Sequence, residues 1–244
     1  PKIYFRCESE NLELGFVHNH PDGFLGFSKM DDLNEGNILK GLSGCNGIDS
    51  YLISLVLCED NWIGRIRQGI VPENIIDVRH IIILGDSIEI HGIEPSEGSP
   101  ENLKRQEIAF GLPFNQKLSS LRVAVIGLGG TGSPVATLLA RTGVGELILI
   151  DGDDLESSNM NRVRGYTKED VGKKKAKSLS NFINSLGINT IVTPICGYLD
   201  KDSSALDALS SADIVFGCTD DIAGRDLMNQ GIYYYNQVLI DSGM

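Results

Sequence analysis

The sequence predicts an α/β protein, with a mostly parallel sheet in its larger C-terminal part and a smaller α+β domain before it. Two observations carry this prediction. From residue 103 to residue 244, apolar strand-like segments alternate with helical segments, and this alternation is typical of a parallel sheet with helices on both faces. Residues 1–92 instead combine several strand-like runs with one helical stretch at residues 30–42, which is typical of an α+β domain.

The boundary between the two parts follows from composition. The segment GIEPSEGSPEN is rich in Gly, Pro, Ser and Glu, a composition that favours a linker over a helix or a strand. We expect an N-terminal domain at residues 1–92, a linker at residues 93–102 and a C-terminal domain at residues 103–244. The chain does not begin with Met and ends just after an apolar run, so we expect both domains to be truncated.

Each element of the C-terminal domain is predicted from its own pattern. LRVAVIG, GELILID, TIVTPICGYL, ADIVFGCTD and QVLID are short and rich in β-branched and other apolar residues, as buried strands are. Helices are predicted between them, at residues 131–142, 168–185, 203–210 and 223–234.

The bulk composition argues against several kinds of partner. The net charge is −12, and an acidic surface repels phosphate backbones, so we expect no nucleic-acid partner. No apolar run approaches the roughly 18–20 residues that a membrane span needs, so we expect no membrane partner. The five cysteines form no C-x-x-C pair, and a reducing cytoplasm is the expected location.

A glycine-rich loop marks a candidate nucleotide site. Gly127, Gly129, Gly130 and Gly132 follow the first strand of the C-terminal domain and open its first helix. Without Cβ atoms such a loop turns tightly and approaches phosphates, while the helix N-terminus attracts anions. Asp151 ends the next strand, at the spacing of the acid that hydrogen-bonds ribose hydroxyls. The pattern predicts a Rossmann-like domain, and it fits a nucleotide-activating enzyme or an NAD-dependent oxidoreductase.

Charged residues after the loop favour adenylation over hydride transfer. Arg162 and Lys175 add positive charge, and Asp220 follows a strand, at the sheet edge where ligands bind in parallel sheets. When a carboxylate attacks an anionic α-phosphate, cationic side chains and an Asp-held Mg²⁺ neutralise the developing charge. An oxidoreductase gives these two basic residues no role and is the remote alternative.

Residues 103–244 resemble the ThiF/MoeB/HesA family, bacterial relatives of ubiquitin-activating enzymes. The runs GLGGTGSPVATLLARTGVGELILIDGDDLESSNMNR and CTDDIAGRDLMNQ carry the resemblance. It implies ATP-dependent adenylation of the C-terminal carboxylate of a ubiquitin-like or sulfur-carrier protein. Asp151 would bind the ribose, Asn159 would help to position the nucleotide, Arg162 and Lys175 would contact phosphates, and Asp220 would coordinate Mg²⁺.

The resemblance also implies a homodimer. Arg105 lies in an Arg-Gln segment before the sheet, and in the family this arginine reaches the ATP of the opposite subunit. The cysteine that accepts the acyl group in some members, and the zinc-binding cysteine pairs of many, fall beyond the position of Met244. Whether a thioester follows adenylation, and whether conjugation or sulfur transfer is the outcome, therefore stays open.

A second candidate site lies in the N-terminal domain. His18 and His20 are two residues apart on a predicted strand, so their side chains point the same way and can hold one metal ion. Asp31, on the predicted helix, supplies a third ligand, and an open fourth position is typical of catalytic zinc. Ser28 could donate a hydrogen bond to the oxyanion of a tetrahedral intermediate.

The spacing H-x-H, seven residues, S-x-x-D resembles the JAMM (JAB/MPN) metalloproteases, which cleave bonds after ubiquitin-like proteins. The resemblance implies Zn²⁺ and an accessory peptidase that acts on the same partner. That family also uses a Glu far upstream of the histidines, and here only Glu8, Glu10 and Glu13 precede them, closer than the family pattern. The domain is therefore either an incomplete JAMM-like domain or a non-catalytic docking module; an HNH nuclease fits the acidic chain less well.

Overall fold

A computed structural model of the chain describes residues 2–20, 23–69, 71–86, 88–91 and 98–242. It divides into two compact units, Pro1–Glu94 and Pro95–Met244. Residues 93–97 of the predicted linker lie outside the described residues, whereas Glu101–Leu103 form a 3-10 turn. Among the described residues, no helix is both long and apolar enough to cross a bilayer.

The N-terminal unit is an α+β structure. Its elements are α1 (Lys2–Glu10), β1 (Leu14–Asn19), α2 (Lys29–Asn46), β2 (Tyr51–Cys58), β3 (Asn61–Gln68), β4 (Val71–Asp77), β5 (Ile81–Leu84) and β6 (Ile88–His91). The first four strands form a mixed sheet in the order β1-β2-β3-β4. Strands β1 and β2 are parallel, the next two pairings are antiparallel, and β5 and β6 form a separate hairpin.

Helix α2 contributes to the core of this unit. Strand β2 alternates between buried and partly exposed residues, as a strand with one buried face does. Leu39 and Leu42 of α2 and Leu52 of β2 belong to one apolar cluster, and each is at most 1% exposed. Burying these side chains packs the second half of α2 against the sheet, whereas the first turn of α2 lies next to the histidines of β1.

The C-terminal unit has the α/β fold that the sequence predicts. Its elements are α3 (Lys104–Phe110), α4 (Leu112–Ser120), β7 (Arg122–Ile126), α5 (Gly132–Thr142), β8 (Glu146–Ile150), α6 (Lys175–Ser185), β9 (Ile191–Ile195), α7 (Ser203–Ser210), β10 (Ile214–Gly217), α8 (Ile222–Tyr235) and β11 (Val238–Asp241). The sheet order is β11-β10-β7-β8-β9, and all four pairings are parallel. The predicted parallel sheet is confirmed.

The strand order fixes where a ligand can bind. From β7 the chain moves outward through β8 to β9, and then crosses to the other side for β10 and β11. A crevice opens where the order reverses, at the carboxyl ends of β7 and β10, and parallel α/β sheets bind ligands there. The glycine loop begins at this point, directly after Ile126.

Several elements differ from the sequence prediction. The helix predicted at residues 168–185 begins only at Lys175, and Lys168–Asp170 form a 3-10 turn instead. Helices α1, α3 and α4 and strands β3 and β4 were not specified by the sequence patterns. Helices α3 and α4 are short, and Gly111 separates them with φ +85°, a backbone conformation that favours glycine.

Candidate functional site

The glycine loop is held against the ends of two strands. Gly127 has φ +83°, and its N–H donates to Ile150 O at 2.9 Å. A Cβ on Gly127 would lie 2.8 Å from Cys218 O, and a Cβ on Gly132 would lie 1.8 Å from Gly127 O. The loop therefore needs glycine at these two positions for different reasons: one requires a left-handed turn, and the other lets α5 approach the loop closely.

The contact at Gly132 predicts a strong stability effect. Gly132→Ala should lower the free energy of unfolding of the C-terminal unit by about 3 kcal/mol, because the added methyl group overlaps a backbone carbonyl that cannot rotate away. Gly129→Ala is the matched control, since a Cβ there meets nothing within 4 Å. Thermal unfolding without nucleotide measures both. Equal melting temperatures for the two variants would contradict the packing argument.

Asp151 fastens the loop to the end of β8. Its Oδ2 accepts from Leu128 N at 2.7 Å and its Oδ1 accepts from Asp153 N at 2.8 Å. Burial raises the pKa of this carboxyl, and the two backbone hydrogen bonds and nearby Lys175 oppose that rise. Each carboxylate oxygen keeps further acceptor capacity, so the residue can also receive ribose hydroxyls.

Two cations lie at the mouth of the loop. The aliphatic stem of Arg162 packs on Gly130, where a Cβ would lie 3.0 Å from Arg162 Cδ. Its Nη1 donates to Ser158 O at 3.0 Å. Lys175, the first residue of α6, is 8% exposed, and its Nζ lies 2.8 Å from Asp153 Oδ2. The ammonium of Lys175 lowers the pKa of the Asp153 carboxyl, as does the hydroxyl of Tyr198.

These residues surround one cavity of about 990 Å³. It is large enough for a nucleotide, since ligand pockets in proteins usually range from 300 to roughly 1,000 Å³. Eight of the residues singled out in the C-terminal part of the sequence line it: Gly127, Gly129, Gly130, Asp151, Asn159, Arg162, Lys175 and Asp220. Asp220 is exposed, in the segment that follows β10. Gly132 is not among the lining residues; its place is the packing of α5 against the loop.

Arg105 does not line this cavity. It is exposed on α3. The adjacent Gln106 has a clear structural role, because its Nε2 donates to Asn115 Oδ1 at 2.8 Å and to Thr142 O at 2.9 Å. These bonds tie α3 to α4 and to the end of α5.

Tyr198 is a residue of this cavity that the sequence patterns did not single out. Its hydroxyl donates to Asp153 Oδ1 at 2.6 Å, and this bond is the main cause that raises the pKa of Tyr198 to about 12. Its ring lies against the backbone of Gly152, where a Cβ would be 2.4 Å from the ring. Its position just after β9, at the carboxyl edge of the sheet, was the only available signal.

The N-terminal unit brings its three predicted metal ligands together. Ligand atoms of His18, His20 and Asp31 lie within 4.8 Å of one another. The two Nε2 atoms are 3.2 Å apart, His18 Nε2 is 2.9 Å from Asp31 Oδ1, and His20 Nε2 is 3.4 Å from Asp31 Oδ2. Ligand atoms at zinc-bond lengths in a tetrahedron lie roughly 3.3 Å apart, so the three groups fit one zinc ion.

Neighbouring groups orient these ligands. His20 Nδ1 lies 3.1 Å from Phe24 O, an arrangement that leaves Nε2 free to face the cluster. Asp31 Oδ2 accepts from Ser28 N at 2.6 Å, and Ser28 Oγ accepts from Asp31 N at 3.3 Å. Burial raises the pKa of Asp31, but the Ser28 bonds and the two imidazoles together lower it further, so its pKa lies below the usual range.

The three upstream glutamates do not join this cluster. Within the described part of the chain, only His18, His20 and Asp31 form a group that could hold a metal. Glu8 and Glu10 lie on α1, where Glu10 pairs with Arg6 at 2.8 Å. Glu13 Oε2 accepts from Tyr51 N at 3.3 Å, next to the start of β1, whereas His18 and His20 lie at its far end.

Comparison with known proteins places the larger unit. The model of the ThiF family matches residues 103–244. The sulfur carrier protein ThiS adenylyltransferase of Escherichia coli K12 is 37% identical over 129 residues, covering 53% of this chain and 51% of that protein. The SAMP-activating enzyme E1 of Haloferax volcanii is 37% identical over 113 residues, covering 46% of this chain and 42% of that protein. This chain thus spans about half the length of these relatives.

Solved structures agree with this assignment. A crystal structure of E. coli MccB with succinimide is 27% identical, has a TM-score of 0.53 and covers 59% of this chain and 45% of that chain. A structure of E. coli tRNA N6-threonylcarbamoyladenosine dehydratase with AMP is 25% identical, has a TM-score of 0.53 and covers 57% of this chain and 56% of that chain. The family match covers more than half of the sequence, and the chain therefore belongs to the ThiF family.

Proposed function

We propose that the protein uses ATP to adenylate the C-terminal carboxylate of a ubiquitin-like or sulfur-carrier protein. The observation that carries this proposal is the combination of a cationic pair, Arg162 and Lys175, with two carboxylates, Asp151 and Asp220, around one cavity above the glycine loop. The relatives support the choice of substrate, since their names specify SAMP and the sulfur carrier ThiS.

Each of these side chains would have a separate role in the reaction. The carboxylate oxygen of the substrate protein attacks the α-phosphorus, the bond from that phosphorus to the bridging oxygen breaks, and pyrophosphate leaves. Arg162 and Lys175 would hold the negative charge of the phosphates, and Asp151 would fix the ribose. Asp220 would hold Mg²⁺, which supplies charge neutralisation, and Asn159, which lines the cavity, would help to position the nucleotide.

Lys175 has to exchange partners during this reaction. Its Nζ pairs with Asp153, whose carboxylate is about half exposed. A polyphosphate carries more negative charge than one carboxylate, so we expect the ammonium to turn toward the phosphates when ATP binds.

Exchange of pyrophosphate into ATP tests the adenylation step. The substrate is a ubiquitin-like or sulfur-carrier protein from the same organism as the enzyme. We expect the wild type to catalyse the exchange, and we expect Lys175→Met to lower the exchange rate by about 10²–10³-fold. Lys177→Met is the matched control, because Lys177 lies on the same helix and is exposed outside the cavity. Full exchange in Lys175→Met, or none in the wild type with any such protein, would refute the proposal.

The comparisons do not support the alternative function, that of an NAD-dependent oxidoreductase. The relatives described above include an adenylyltransferase and an E1 enzyme. The basic pair also lacks a role in hydride transfer. Preferred binding of NAD over Mg-ATP would reverse this conclusion.

A homodimer remains part of the proposal. Arg105 is exposed and lies away from the cavity of its own chain, as expected for a side chain that acts in the opposite subunit. We likewise propose that residues 1–92 and residues 103–244 are two separate functional domains of one chain.

A second candidate function rests on the fit of His18, His20 and Asp31 to one zinc ion. We propose that the N-terminal unit is a JAMM-like zinc peptidase that acts on the same partner protein. Zn²⁺ would supply a Lewis acid and a bound water there, and Ser28 would donate to the oxyanion. Ser28 Oγ accepts the Asp31 N–H in the capping box, so its own proton remains available for donation. Bound zinc in the purified protein tests this proposal, and its absence would leave a docking module.

A further inference from the structure

A buried ion cluster lies between helix α2 and strand β3. Glu35 is fully buried, and Arg65 and Arg67 are 6% and 8% exposed. Glu35 Oε2 lies 2.8 Å from Arg65 Nη2 and 2.7 Å from Arg67 Nε. Both guanidinium groups also contact Asp32 Oδ1. Replacing a buried ion pair by apolar residues of similar volume often leaves a protein equally stable. Stability alone therefore does not explain why this cluster is present.

Arg65 contacts both sides of the short segment that carries Asp31. Its Cζ lies 3.8 Å from the ring centroid of Phe27, the residue directly before Ser28. Its Nη2 donates to Asp32 Oδ1 at 2.8 Å, directly after Asp31. The Ser28–Asp31 capping box thus lies between two residues that one guanidinium group holds.

The same arginine connects Asp31 to the sheet that carries the histidines. Arg65 pairs across the sheet with Ser54, and Ser54 pairs with Phe16, two residues before His18. Asp31 itself is on helix α2, which is not one of the hydrogen-bonded strands of this sheet. Leu39 and Leu42 join only the second half of α2 to the sheet, so the position of the carboxylate relative to the imidazoles depends on the side chains that join the first turns of α2 to it.

The geometry of the three metal ligands leaves little room for movement of Asp31. The carboxylate must stay about 3 Å from both Nε2 atoms, and a functional site tolerates displacements of only about 0.5 Å. We propose that Arg65 is a positioning residue that holds the Asp31 carboxylate in register with His18 and His20. This inference rests on the proposed zinc site, and it assigns metal affinity to a residue that does not touch the metal.

Metal affinity of the full chain tests the inference. We expect Arg65→Met to weaken Zn²⁺ affinity, measured by competition with a chromophoric chelator, by about 10-fold. This is the lower end of the effect of losing a direct partner of a metal ligand, because Arg65 acts through the residues on either side of Asp31. Glu35 keeps Arg67 in this variant, so no buried carboxylate is left unpaired. Arg65→Lys keeps the charge but cannot reach both flanks, so its affinity should be intermediate. The ligand-field absorption of bound Co²⁺ should weaken in the same order.

A stability control separates positioning from general loss of structure. Leu42→Ala removes a buried side chain of the same helix, more than two turns from Asp31, and should lower the melting temperature without changing Zn²⁺ affinity. Wild-type affinity in Arg65→Met, or an equal loss of affinity in Leu42→Ala, would overturn the inference while leaving the zinc site intact. No Zn²⁺ binding by the wild type would overturn both.

Discussion

Asp220→Ala should reduce ATP–pyrophosphate exchange by about 10²–10³-fold while leaving the fold unchanged. Asp220 follows β10 at the carboxyl edge of the sheet, lines the cavity and is exposed. The α-phosphate under attack and the leaving pyrophosphate are both anionic, so removing a carboxylate at this point harms catalysis only if that carboxylate holds a cation. The direction of the effect therefore identifies the role: a bare carboxylate would repel the phosphates, and its loss would raise exchange.

Mg²⁺ dependence sharpens this test. We expect Asp220→Ala to need a higher Mg²⁺ concentration for half-maximal exchange, because the nucleotide phosphates alone then hold the metal. Asp226→Ala is the control, since Asp226 is exposed on α8 and does not line the cavity, so the change removes one negative charge without altering the cavity. Its exchange rate and Mg²⁺ dependence should equal those of the wild type. An unchanged rate in Asp220→Ala would exclude this residue as the metal ligand.

The parallel sheet of the C-terminal unit could be predicted because its signals are local. Strands such as RVAVI and ELILI are buried along nearly their whole length, so they read as continuous apolar runs. The glycine loop is equally local, since a tight turn and a close helix approach each require a missing Cβ at a fixed position. Asp151, Lys175 and Asp220 then fall at one sheet edge because parallel strands place their carboxyl ends together.

The late start of α6 illustrates what local patterns cannot provide. Residues 172–174 are held out of a helix by the segment after β8: Leu155 N donates to Lys173 O at 2.8 Å, and Gly172 N donates to Leu155 O at 2.8 Å. This pairing joins positions about 17 residues apart in sequence and prevents the helix from beginning at Lys168. It also fixes the first turn of α6, and thereby the position of Lys175.

The N-terminal ion cluster escaped prediction for the same reason. Glu35 looks like a polar residue of an ordinary helix, and its partners Arg65 and Arg67 lie about 30 residues later on β3. Alternation along β3 would suggest that one face is solvated, yet both arginines are buried by their pairing with α2. The H-x-H and S-x-x-D spacings were informative because a strand places both imidazoles on one face and a capping box holds Asp31 against Ser28, and both effects are local.

His20→Ala should abolish zinc binding by the purified protein. The wild type is expected to contain about one zinc per chain, held by His18, His20 and Asp31. Removing one of three protein ligands leaves two, and the loss should exceed the roughly 10–100-fold effect of an outer partner. Metal analysis after dialysis measures the stoichiometry. His91→Ala is the control, because His91 lies on β6 and pairs with Glu89 at 3.4 Å instead of joining the cluster.

The two possible results of the zinc measurement assign different functions to the N-terminal unit. Zinc lost in His20→Ala and retained in His91→Ala would establish an assembled metal centre, and a general base would then be sought outside Glu8, Glu10 and Glu13. Zinc absent from the wild type would mean that His18, His20 and Asp31 contact one another without a metal ion. The N-terminal unit would then bind the partner protein without cleaving it, and adenylation would be the only chemistry of the chain.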